Sequence, residues 1–440
     1  MVSTRPSHLA DQAACAVHSA PGRGGSRRVP RQRTAGESAA ARWAAHRGVQ
    51  AVGCVIAALW AAAFPLVSDL SNQIFWGAVA APAYGLAAVF CLGLPRRIGP
   101  RVGAAVALFG AVLLPLAVLA LRGRHQSEVM VVERSARLLL HTGSPYLPDP
   151  RVVTDFNPYL PSMALFGLPR AALGTGNGLS QVLGDARIWF ALTFLGCLLG
   201  GWRLLRPSRD RAPVLPLAVL TASPLIALAL TVGGVDLPLI GVCSLAMAMA
   251  ARGRPVGTGL VLALACTLKW TAWPALPVAL LLLWRLYGRR RAARAAVISV
   301  GVSLAVILPV ALGHARELRE QVVRFPLGMT AVHTPAGSPL PGKVLAGFGP
   351  TGHTISLTLL CLGGLAVALW LLAYPPTSAT AACDLLAVGL TVAFMLAPAG
   401  RFGYLALPTV LVIWPRLATR TWTWRHPDPA RHQMPVALVG

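Results

Sequence analysis

Apolar runs close to the length of a membrane helix recur along the chain, separated by short polar turns and two long polar segments. An α-helix needs about 20 such residues to cross a bilayer core of about 30 Å. The pattern predicts about twelve spans, near 49–68, 76–94, 102–121, 186–205, 213–231, 235–251, 256–270, 272–287, 295–312, 353–373, 381–398 and 402–417. The expected fold class is all-α and polytopic. Residues 1–47 have no apolar period and are rich in Arg, Ser, Gly, Pro and Ala. Such a stretch cannot bury a core and is expected to be a disordered basic tail. The predicted organisation is that tail, a membrane-embedded body over 48–417, and a second tail over 418–440.

The first long polar segment, 122–185, is no simple span. Within it, Val129, Val132, Ala136 and Leu139/Leu140 form one stripe at helical spacing. Gly143 and Pro145 supply stop signals. This predicts an amphipathic helix over 127–140, lying at the outer interface. Glu133 and Arg137 are four apart and are expected to pair on its solvent side. Residues 156–173 are apolar but broken by Pro158, Pro161 and Pro169. They read as a second interfacial or re-entrant piece, because counting them as a span would invert every later loop.

Composition agrees with the pattern. The chain is 55% hydrophobic and 12% charged, about half the charge of an average soluble domain. Its net charge of +25 suggests nucleic acid until its placement is read. Arg96-Arg97, the Arg-rich stretch 203–211, Arg252/Arg254 and the stretch 289–294 all fall on one side of the predicted spans. That is the positive-inside bias, so the charge sets topology and no nucleic-acid partner is expected. Both termini are then cytoplasmic, in a plasma membrane. No cleavable signal peptide is visible. The cysteines have no CxxC spacing, and all but Cys15 fall in or beside spans, where they read as packing residues.

Polar chemistry is left to the outer loops. Glu128 opens the interfacial helix beside the third span; acids also favour helix starts through the dipole. Asp155 lies in the same loop. Asp69 sits in a short Ser-Asp-Leu-Ser-Asn turn, where turn or cap chemistry is the plainer reading. Tyr146 and Tyr159, each beside proline, are either site residues or aromatic-belt anchors. Asp236, before Leu-Pro, is a good helix cap and also an acid on the outer side. Lys269, beside Trp270 and Trp273, is either a snorkelling group or a cation for an anionic phosphate. Arg401, flanked by Gly400 and Gly403, offers bidentate geometry to phosphate. The second long outer segment, 313–352, carries His314, Arg316, Arg319, Arg324, His333 and Lys343. Basic groups there oppose the topology bias, so they either bind an anion or pair with Glu317 and Glu320.

There is no Walker loop, Rossmann fingerprint, zinc motif or nucleophile elbow in the sequence. Outer carboxylates and cations on a helical body suit a lipid-linked sugar donor. A carboxylate would deprotonate the acceptor hydroxyl. Cations would hold the departing phosphate, so no nucleotide, cofactor or metal is required.

In order and spacing the chain resembles glycosyltransferase family 87 and its relatives in the GT-C superfamily. The resemblance rests on Glu128 followed by a helix and Gly143-Ser144-Pro145-Tyr146, and on the segment from Phe156 to Pro161. It continues with Asp236 opening a span, Leu268-Lys269 with Trp273-Pro274, and Arg401-Phe402-Gly403-Tyr404. It implies an inverting enzyme that moves a sugar, often mannose, from a polyprenyl-phosphate donor to a lipid or glycan acceptor outside the cell. Glu128 would be the base, with Asp155 and Asp69 as rivals, and Lys269, His333 and Arg401 the donor-phosphate contacts. The chain departs from the family in having Glu where Asp is usual at 128, and Asn-Pro-Tyr-Leu-Pro at 157–161 where the family has Tyr-Pro-Pro. The other readings are a lipid or small-anion transporter and a non-catalytic partner in envelope assembly.

Overall fold

A computed structural model describes residues 46–206 and 213–419. The expected tails therefore lie outside the described residues, apart from 46–47 and 418–419. The described chain is a bundle of α-helices with one isolated β-bridge, Gly337 to Gly400. The main helices are α1 (Arg47–Val67), α2 (Ser71–Gly93), α3 (Gly99–Leu121), α4 (Ser127–Thr142), α5 (Ala186–Leu205), α6 (Val214–Thr221) and α7 (Pro224–Val232). They continue with α8 (Leu237–Ala251), α9 (Pro255–Leu268), α10 (Ala275–Tyr287), α11 (Arg289–Gly313), α12 (Pro350–Ala373), α13 (Ala379–Leu396) and α14 (Ala406–Thr419).

Among the described residues, 8 helices are long and apolar enough to cross a membrane. The predicted span 213–231 is instead two helices, α6 and α7, bent by 71°. Pro224 opens α7 and has no N–H to continue α6, so the ladder breaks there. The predicted spans 235–251 and 256–270 are the shorter helices α8 and α9, of 15 and 14 residues.

Helix burial separates the lipid-facing shell from the core. Only 11% of the apolar window of α12 is buried, and 17% of those of α1 and α11. Such faces are stable only against hydrocarbon, where every backbone group is satisfied inside the helix. The centre is α8, buried on all sides from Leu237 to Val242 and on through Cys243, Ser244 and Met247. Small residues allow its close approach to α5: a Cβ on Gly241 would lie 2.9 Å from the Phe194 backbone. The seven described cysteines are free, as packing residues would be.

Two ion pairs lie within the bundle. Asp185 caps α5 and bonds the Arg187 guanidinium at 2.6 and 2.9 Å, with neither side chain exposed. Asp384 of α13 takes Arg416 of α14 in a two-point contact.

The up-and-down order of helices places the turns after α1, α3, α7, α9, α11 and α13 at one end. Backbone bonds stitch that end together: Gln126 to Val232 at 2.8 Å, Leu160 to Leu268 at 3.0 Å, and Ser338 to Gly400 at 3.0 Å. Arg96, Arg252, Arg254 and the arginines opening α11 lie at the other end, where Tyr287 bonds the Ala251 carbonyl at 2.8 Å.

Candidate active site

The first long loop is built as a roof over the stitched end. Helix α4 follows the apolar stripe, burying Val129, Val132 and Ala136, and stops where Gly143 takes a left-handed turn (φ 73°). Glu133 corrects one expectation. It does not pair with Arg137 on the solvent side; it is 6% exposed, bonds Arg170 at 3.2 Å and accepts the Ala186 N–H at 3.2 Å. The stripe is wider than its apolar residues alone show, because a long arginine from 168–173 reaches under the helix. Burial pushes the Glu133 carboxyl above its usual range, against the opposing pull of Arg170 and the Ala186 N–H.

After α4 the chain runs extended and then turns into a 3-10 segment, Pro161–Gly167. Asn157 holds this crossing. Its amide donates to Ser135 at 3.0 Å and to the Pro145 carbonyl at 3.2 Å. Its backbone N–H donates to Gln321 at 3.0 Å. The Tyr146 hydroxyl donates to the Tyr159 carbonyl at 2.9 Å. Both tyrosines are buried, at 3% and 4% exposure, so neither is a lipid-facing belt anchor. Tyr146 sets the backbone of Tyr159, and Tyr159 presents its ring to the site.

Four charged groups from four turns converge there. Arg401, preceding α14, is ion-paired with Glu128 at the start of α4. Lys269, at the end of α9, donates to Asp236 at 2.7 Å. Asp236 stands at the N-cap position of α8, yet its carboxylate bonds no helix N–H. The expected cap gives way to the lysine, because a partly buried cation needs a counter-charge more than a helix end needs a side-chain acceptor. The Lys269 ammonium lies 4.7 Å from the Tyr404 ring centroid and 5.8 Å from that of Tyr159. Burial first, then Glu128 and Asp236, hold the Tyr159 phenol well above its ordinary range, so it remains a neutral hydroxyl within the field of both carboxylates. Burial would lower the Arg401 guanidinium, but Glu128 and Tyr404 outweigh it and raise it. It stays charged.

The other candidates stand apart from this cluster. Asp155 accepts the backbone N–H groups of Arg151 and Val152 at 3.0 and 3.1 Å and lies 3.8 Å from Arg134. Those backbone bonds come first in holding its carboxyl below the usual range. It closes a loop turn. His333 is exposed in the second long outer segment, and Asp69 is exposed between α1 and α2. Tyr404, which the sequence offered only as the end of the Arg401-Phe402-Gly403-Tyr404 motif, joins the candidate site through its ring.

The family comparison bears on these residues. The family model for glycosyltransferase family 87 matches residues 157–398, more than half of the chain. The chain belongs to that family. No curated protein and no solved structure matches it. The family-87 match takes in Tyr159, Asp236 and Lys269, while Glu128 and Arg401 lie outside it. Their place in the site rests on geometry: the two residues beyond the matched region are each other's ion-pair partners and face residues within it. Membership makes the chain a membrane glycosyltransferase, with a sugar donor, an acceptor and a lipid setting.

Proposed function

We propose that this family-87 protein transfers a sugar, mannose by resemblance, from a polyprenyl-phosphate donor to a lipid or glycan acceptor on the extracytoplasmic face of the plasma membrane. The observation carrying this reading is the convergence of Glu128, Arg401, Asp236 and Lys269, with Tyr159 and Tyr404, at the bundle end opposite the arginine-rich turns. The positive-inside bias then makes the site's end the outer one.

The residues suit an inverting displacement. The acceptor hydroxyl gives its proton to the Glu128 carboxylate while its oxygen bonds the anomeric carbon. The bond from that carbon to the phosphate oxygen breaks, and its electron pair leaves with polyprenyl phosphate. That leaving group gains one negative charge, which Lys269 and Arg401 stand ready to hold. Both cations are occupied by carboxylates before substrate arrives. A donor phosphate competes for Arg401, and the exchange frees Glu128 to act as base. Phosphate oxygens, like those of a carboxylate, can accept from both arms of a guanidinium of fixed fork geometry, so the charged donor can take the place of Glu128 on Arg401 and complete the catalytic arrangement.

The test uses membranes supplied with polyprenyl-phosphate mannose. Glu128→Gln, expressed at the normal level, is expected to lose transfer by at least about a hundredfold, since a positioned base contributes about 10²–10⁴. Asp155→Asn is expected to keep it. Full turnover by Glu128→Gln removes the base assignment, and loss in Asp155→Asn alone moves it there.

A further inference from the structure

A second polar feature lies beside the donor cluster. A cleft of about 770 Å³ opens between the two long outer segments, within the roughly 300–1,000 Å³ of a small-molecule site. Asp149 and Arg151 line one wall, and Arg316, Glu317, Arg319 and Gln321 the other. None of Glu128, Asp236, Lys269 and Arg401 lines it.

Three observations give this cleft a role. First, the arginines are on the side where the topology bias disfavours them, and internal pairing does not account for them. Arg324 pairs with Glu320 at 2.8 Å, while among the described residues Arg151, Arg316 and Arg319 are in no ion pair. Second, carboxylate and guanidinium groups sit side by side on both walls. Such a lining matches a ligand dense in hydroxyls, which both donate and accept, better than an acyl chain or a simple anion. Third, the cleft is mechanically tied to the donor site. Gln321 is fully buried; it accepts the Asn157 N–H at 3.0 Å and donates to the Leu147 carbonyl at 2.6 Å. Phe156, also in the lining, stacks on Phe325 with centroids 4.3 Å apart. Three residues after Phe156, Tyr159 lies against Lys269.

We infer that this cleft binds the saccharide portion of the acceptor, with Arg316 and Arg319 as hydroxyl contacts and Gln321 as the positioning residue that registers acceptor against donor. This rests on the transferase reading above and names the second substrate's site. A sugar chain borne by a lipid and one borne by a polymer present the same chemistry here.

The experiment uses the full-length protein, radiolabelled polyprenyl-phosphate mannose, and membranes from a strain lacking the protein as the source of unmodified acceptor. Label is followed into solvent-extractable lipid, into residual polymer and into free mannose. The double variant Arg316→Gln/Arg319→Gln is expected to need at least about tenfold more acceptor membrane for half-maximal transfer. Its donor KM and its release of free mannose should match the unaltered protein. The fraction that takes label tells a lipid-borne acceptor from a polymer-borne one. Unchanged acceptor dependence, or a donor KM that rises in step, overturns the acceptor assignment while leaving the transferase reading intact. No label transfer by the unaltered protein overturns the transferase reading and this one with it.

Discussion

A lysine 9% exposed at the end of an apolar helix needs counter-charge, and Lys269 has it from two sources. Asp236 supplies a full charge and Tyr404 and Tyr159 supply aromatic faces. The two differ in what substrate does to them. In the proposed reaction a donor phosphate would displace the carboxylate, while the rings would stay and keep the ammonium aimed at the incoming anion. A cation over a ring in a desolvated site gains about 1–2 kcal/mol. Because the ring contact exists before and after phosphate binds, only part of that energy bears on donor affinity, and Tyr404→Leu should raise the donor KM by up to about thirtyfold at 1.4 kcal/mol per decade, with a smaller effect on kcat. Tyr404→Phe keeps the ring and should match the parent in steady-state kinetics. Equal losses in both variants would assign the role to the hydroxyl instead. At this scale the sequence was readable where one residue type has one use, as in the glycine stop of α4. It was ambiguous for Asp236, because an Asp before Leu-Pro caps a helix in one setting and pairs with a remote lysine in another. Only the 33-residue separation closed by the fold decides between them.

At the scale of the element, α4 and the crossing after it form the roof, and its apolar face is joined to the bundle by a polar attachment as well. Glu133 anchors α4 to Arg170 and to the start of α5, and Arg170 also donates to the carbonyls of Gly174, Ser180 and Gln181. Breaking one partner of such a buried pair costs about 3–5 kcal/mol, because the other charge is left without compensation. Glu133→Ala should strand a guanidinium that cannot lose its proton. Its melting midpoint in neutral detergent should fall well below that of Arg137→Ala, which lacks a buried partner. Arg170→Met should be milder, since burial already biases the Glu133 carboxyl toward its neutral form. If Arg137→Ala proves the more damaging, the solvent-side pairing expected from i,i+4 spacing is the operative one. The periodicity of α4 was legible because an amphipathic stripe reports its own buried face. The partner of Glu133 was not, since Arg170 arrives from a short proline-broken helix whose direction no local pattern encodes.

For the whole molecule, hydrophobic runs and arginine placement carried most of the architecture. They give less where a proline bends a run, as between α6 and α7, and where a helix such as α8 is short and almost wholly buried. Apolarity alone cannot tell a lipid-facing helix from an enclosed one. What joins the levels is sidedness: turns far apart in sequence share one end, and under the proposed function a lipid-tailed donor would enter between helices with its phosphate toward Lys269 and Arg401. That end should face out of the cell. In a background free of reactive native cysteine, Ala331→Cys in the second long segment should react with a membrane-impermeant maleimide on intact cells. Arg290→Cys, in the arginine-rich turn opening α11, should react only after permeabilisation. The reverse pattern would put the donor phosphate site in the cytoplasm, where the arginines at the other end would then violate the charge bias. The two labels therefore test the orientation on which both the donor and the acceptor assignments stand.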